Sequence, residues 1–137
     1  MKTSLLLAAA MMAALATSAS AEMVAYTAQL AGASEVPPNN SAGTGTAEVN
    51  VDTEKKEAAW TITFSGLSGD ATAAHFHGPA APGENAGPVI DISGKIESGT
   101  ATLSDAQLAD LEAGRLYINI HTAQFPDGEI RGQVQKK

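Results

Sequence analysis

Apolar and polar residues alternate with period two along much of the chain. Ala47, Val49 and Val51 alternate with Glu48, Asn50 and Asp52. After the polar stretch Thr53 to Lys56, Trp60, Ile62 and Phe64 alternate with Thr61, Thr63 and Ser65. Successive side chains of a strand point to opposite faces, so this pattern predicts a hairpin with one buried face and Trp60 in the core. Comparable runs predict strands at 24–31, 73–77, 89–92, 95–103, 116–122 and 129–135, bounded by glycine, proline or small polar residues. One segment reads as helix. Ser104-Asp105-Ala106-Gln107 forms a capping box ahead of Leu108 and Leu111, and Gly114 stands where a left-handed residue closes a helix. The expected fold is all-β, an antiparallel β-sandwich or barrel of about eight strands with one short crossover helix.

The first 21 residues interrupt this pattern. Lys2, the apolar stretch Leu5 to Ala16 and the small residues Ala19-Ser20-Ala21 together predict a secretory signal peptide, residues 1–21. The remainder, 22–137, suits one domain with one core. No later apolar run approaches a membrane-spanning length, so a periplasmic or secreted protein without membrane insertion is expected. The absence of cysteine excludes disulfides, thiolate catalysis and thiolate-ligated metal centres. Without Lys2 the chain carries seven basic and fifteen acidic residues, a formal charge of −8. That charge argues against nucleic acid and anionic lipid as partners; its plain reading is solubility, and a diffuse negative field would also raise the local concentration of metal cations.

All three histidines fall at strand positions of matching parity. His75 and His77 flank Phe76, and His121 ends the run Leu116-Tyr117-Ile118-Asn119-Ile120-His121-Thr122. If the two strands are neighbours, the three imidazoles share one face, opposite to Leu116, Ile118 and Ile120, and form an outward-facing metal site. Imidazoles without thiolates suit copper first and zinc second. The dense alternating oxygen pattern of a calcium loop is missing around Asp127 and Glu129. A mature terminus at Glu22 lacks the histidine of a terminal-amine copper brace. The expected shell is therefore three imidazoles plus water or one further ligand. Glu129, Asp91, Asn119 and Tyr117 are the candidates for that ligand or for support of the histidines, with Met23 a weaker one.

Glu129 and Arg131 are assigned to one strand face. They read either as a histidine partner and an anion guide, or as an exposed ion pair contributing little. The loop from Gly78-Pro79 to Gly87-Pro88 directly follows the histidine pair. Its three glycines and three prolines suit either a stiff wall for the site or a plain surface connection. Nucleophile elbows, phosphate-cradling loops and paired-carboxylate signatures are missing from the sequence.

The runs Ala74-His75-Phe76-His77-Gly78-Pro79, Gly87-Pro88-Val89, Gly114 to Thr122 and Pro126-Asp127-Gly128-Glu129-Ile130-Arg131-Gly132-Gln133, with the opening Leu30-Ala31-Gly32-Ala33-Ser34-Glu35-Val36-Pro37-Pro38, resemble the CHRD domain of chordin. The resemblance implies an extracytoplasmic, immunoglobulin-like sandwich in which the histidine motifs are prominent, and it supplies no reaction. His75-Phe76-His77 is also similar to the copper ligands of copper–zinc superoxide dismutases, but a fourth histidine, zinc ligands and cysteines are all lacking. Three functions are expected, in descending order. The first is an exported metal-binding domain for metal handling or redox chemistry. The second is a metal-free adhesion or scaffold module for a protein or polysaccharide. The third is a dismutase-like copper enzyme with Arg131 steering superoxide. The sequence leaves open a homodimer that shares the metal site.

Overall fold

The computed structural model describes residues 13–16 and 22–137. The expected leader, apart from 13–16, lies outside the described residues. Nine strands and one helix follow in order: β1 (Met23–Ala31), β2 (Thr44–Asp52), β3 (Glu57–Ser65), β4 (Ala71–His77), β5 (Pro88–Asp91), β6 (Ser98–Thr102), α1 (Asp105–Glu112), β7 (Tyr117–Thr122), β8 (Ile130–Gln133) and β9 (Gln135–Lys136). All strands join one antiparallel sheet ordered β5-β4-β7-β8-β1-β2-β3-β6, with β9 against β1. The expected last strand is split at Val134, and both pieces run beside β1.

The predicted hairpin forms as β2–β3, with Ala47 opposite Ile62 and Val49 opposite Trp60. Its alternating residues supply much of the core, where Ala47, Val49, Val51, Trp60 and Ile62 are all buried. The sheet curls until its two ends nearly meet, because the 92–97 segment ties them together. Ile92 N–H donates to the Ala74 carbonyl (3.0 Å), and Ile62 N–H donates to the Glu97 carbonyl (2.8 Å). Inside, Trp60 packs edge-on against Phe76 with centroids 5.8 Å apart, so β3 and β4 touch across the barrel. The helix has the predicted capping box, and Gly114 follows it with φ 71°.

Two features set the site. Strands β4 and β7 are neighbours, with His77 opposite Tyr117, His75 opposite Asn119 and Ala73 opposite His121. Ala74 and Phe76 meet Ile120 and Ile118 on the inner side, so parity sends all three histidines outward. The second feature is a correction. The outward face of β7 is not open to solvent, since Tyr117 and Asn119 are as buried as the isoleucines beside them. Segments 78–88 and 32–41 fold back over it, and their polar groups bond to the strands beneath.

Candidate metal centre

His75 and His77 stand on β4 with His121 diagonal to His75 on β7, and one ring nitrogen from each lies within 4.8 Å of the others. His77 is 8% exposed, whereas His75 and His121 are partly exposed. Backbone carbonyls fix two of the rings. His77 Nδ1–H donates to the Ala86 carbonyl (2.9 Å) and His121 Nδ1–H to the Pro126 carbonyl (2.9 Å). A carbonyl only accepts, so both protons sit on Nδ1 and both Nε2 atoms present lone pairs. His75 Nδ1 lies 3.1 Å from His121 Nε2 and carries the shared proton when no ion is bound. His77 Nε2 is buried without a partner.

Burial, followed by the neighbouring His121, holds the His75 pKa below the ordinary histidine value, with Asp91 opposing. Burial also lowers His77, against the opposing Ala86 carbonyl. Both rings therefore remain neutral, as ligands must be, further into the acid range than a free histidine.

The supporting residues separate into three groups. Asp91 lies opposite His75 on β5, with a carboxylate oxygen 3.7 Å from His75 Nε2, and Ser93 holds that oxygen through its N–H and hydroxyl. Tyr117 stacks on His77 (centroids 4.9 Å, 5°). Its hydroxyl donates to the Ala86 carbonyl and accepts from the Ala86 N–H. The Arg131 guanidinium lies 3.5 Å over the Tyr117 ring and is bound to Asn85 Oδ1 and the Glu84 carbonyl. Asn119 adjoins His77 and favours its charged form, yet makes no well-formed hydrogen bond to it and leaves Oδ1 unpartnered.

Glu129 departs from both expectations. It is fully buried, it is not paired with Arg131, and its hydrogen bonds go away from the histidines. Its carboxylate accepts from Ser68 N–H and hydroxyl, Thr122 hydroxyl (2.8 Å) and Ser41 hydroxyl (2.9 Å). Arg131, also buried, anchors the 78–88 loop rather than facing solvent as an anion guide. That loop is a wall of the site, because Glu84, Asn85 and Ala86 all bond to the β7–β8 face or to the histidines.

Sequence reasoning missed Glu35. It is 7% exposed, and burial, against the attraction of Arg131, raises its pKa to about 7. Its only signal was an acid placed just before Pro37-Pro38, which says nothing about burial. A carboxyl whose folded pKa exceeds its unfolded value of 4.5 contributes stability that is complete below that value and lost as pH rises through about 7. Glu35→Gln is therefore expected to match the parent at pH 4 and exceed it by about 2 kcal/mol at pH 8. Urea midpoints at the two pH values check this, and a constant difference would contradict it.

The described residues form an all-β barrel whose three imidazoles converge on its outer face and could hold a metal ion, and no helix among them is long and apolar enough to cross a membrane. The model of the CHRD domain matches residues 26–134, and the chain belongs to that family. No curated protein and no solved structure matches it.

Proposed function

We propose that this CHRD protein is exported by its leader and binds one metal ion through His75, His77 and His121, with copper preferred over zinc. The observation that carries the reading is the pair of carbonyl-locked rings, His77 and His121, whose Nε2 lone pairs are held beside His75. The 3.1 Å between His75 Nδ1 and His121 Nε2 suits two ligands on one ion. Metal–nitrogen bonds of about 2.0–2.1 Å place neighbouring ligands about 2.9–3.4 Å apart. Binding through Nδ1 turns His75 Nε2–H toward Asp91, a carboxylate partner of the kind that orients ligating imidazoles. Copper is favoured by the all-nitrogen set and the affinity order, and a position left open for water permits metal handling or redox chemistry.

Titration of residues 22–137, without a histidine tag, is expected to give one equivalent of Cu(II) with nitrogen hyperfine structure in the paramagnetic resonance spectrum. Losing a direct ligand should cost more than the 10–100-fold typical of supporting residues, so His121→Ala is expected to weaken binding more than about 100-fold. Unchanged stoichiometry and affinity in His121→Ala would refute the three-histidine site. Weak binding of several equivalents would instead favour the adhesion or scaffold role.

A further inference from the structure

Beside the histidine centre, residues 35–39 and 124–128 enclose a separate cleft of about 230 Å³. Val36, Pro37, Phe125 and Pro126 give it apolar walls, while Glu35 and Asp127 supply carboxyl groups. Glu35 is built into this wall rather than waving from the surface. It is 7% exposed, and its Oε1 has no hydrogen-bond partner among the described residues. Gly128 makes room for it. At φ 125°, a Cβ there would stand 2.5 Å from Glu35 Oε1 and 2.7 Å from Asn119 Nδ2, so any side chain at 128 would displace the carboxyl.

A buried acceptor with no donor is costly, and native structures usually satisfy such atoms. Arg131 is the nearby cation, but its named bonds go to Asn85 and Glu84. Oε1 is therefore free to accept a hydrogen bond from an occupant of the cleft. Two carboxyls and no basic residue line this cleft, and the chain is acidic overall, so the occupant is cationic. A bare metal ion would need several oxygen ligands, whereas the proline and phenylalanine walls suit an aliphatic stem and Phe125 suits an adjacent positive charge. A second cleft on the other side of Glu35, about 400 Å³, is lined by Arg131, which would repel the same ligand.

We propose that the Phe125 cleft binds a primary alkylammonium group, its N–H donors on Glu35 and its stem against Pro37, Phe125 and Pro126. The test is independent of the metal reading, since amide chemical shifts of the purified protein report it directly. n-Butylammonium should shift Val36, Phe125 and Gly128 saturably, and n-butanol, of equal length, at least tenfold more weakly. Glu35→Gln should weaken n-butylammonium at least tenfold. If that variant fails to fold, Asp127→Asn, exposed and on the opposite wall, should weaken it at least threefold. Nα-acetyl-lysine methylamide separates the two sources of this chemistry. Tighter binding than n-butylammonium indicates a lysine side chain of a protein, and equal binding indicates a free amine. Equal shifts from alcohol and amine, shifts mapping elsewhere, or no saturable shift would overturn the proposal.

Discussion

Gly132→Ala is expected to be the most damaging single methyl group that can be added to this protein. Strands β8 and β1 meet at one bridge, Ala31 opposite Arg131, and beside it the two backbones approach closely. A Cβ on Gly132 would collide with the Gln29 carbonyl oxygen and lie 2.7 Å from its carbon. Both are main-chain atoms within β1, which is paired along its whole length with β2. They cannot swing aside as the end of a side chain would, so the strands must separate. The seam links the half of the barrel that carries the histidines to the hairpin half. Overpacking in a tight interior costs about 1–3 kcal/mol, and backbone against backbone belongs at or above that upper end. We expect Gly132→Ala to lose about 3 kcal/mol or more in urea unfolding. A loss below about 1 kcal/mol would show that the seam is softer than its geometry.

Glu129→Ala is expected to cost nearly as much, by a different route. The carboxylate is fully buried and no cation compensates it; instead Ser41, Ser68 and Thr122 donate to it. Burial pushes its pKa up, but the bonds from Ser68, Thr122 and Ser41 outweigh burial and leave it below the ordinary carboxylate value. Such a group stabilises the fold above its unfolded pKa and ceases to do so as pH falls through the folded one. Removing it strands the Ser68 N–H and loosens the 66–70 turn from β7. Hydrogen bonds to charged groups are worth about 1.5–3 kcal/mol each, and these share one acceptor, so a loss of about 3 kcal/mol at pH 7 is expected. The difference between parent and variant should shrink as pH falls below the ordinary carboxylate value and through the lowered folded pKa, where the parent also loses the charge. A pH-independent difference would assign the effect to packing alone.

Strand positions and facing were legible because alternation is a local property. The hairpin with its buried Val49 and Trp60 face, the capping box and the shared parity of His75, His77 and His121 all follow from residues close in sequence. What stood above the histidine face was not legible. Tyr117 and Asn119 alternate as surface residues do, and only the return of segments 32–41 and 78–88 over β7 turns that face into an interior. The burial of Glu129 and Arg131 is hidden for the same reason, whether they are taken as a histidine partner and anion guide or as an exposed pair: charged residues at alternate positions normally face water, and the sequence does not display the hydroxyls and carbonyls that receive them here. Likewise the Ala86 and Pro126 carbonyls, which fix the histidine tautomers, are backbone atoms with no sequence signature. The neighbouring placement of β4 and β7, on which the triad depends, is a matter of topology that no local pattern determines.

Ala86 joins the histidine centre to the rest of its loop in a way that carries a signal. One carbonyl accepts from both His77 and Tyr117, and the adjoining N–H returns to the same Tyr117 hydroxyl. The ring of a proposed ligand and the path of an exposed loop are thus parts of one equilibrium. An ion that prefers the locked ring stabilises the docked loop by the same free energy, and loss of the ion gives that energy back. On the proposed metal reading, removal of the ion is therefore expected to speed cleavage of the 78–88 segment by an added protease, and equal cleavage rates with and without Cu(II) would uncouple the loop from the ring.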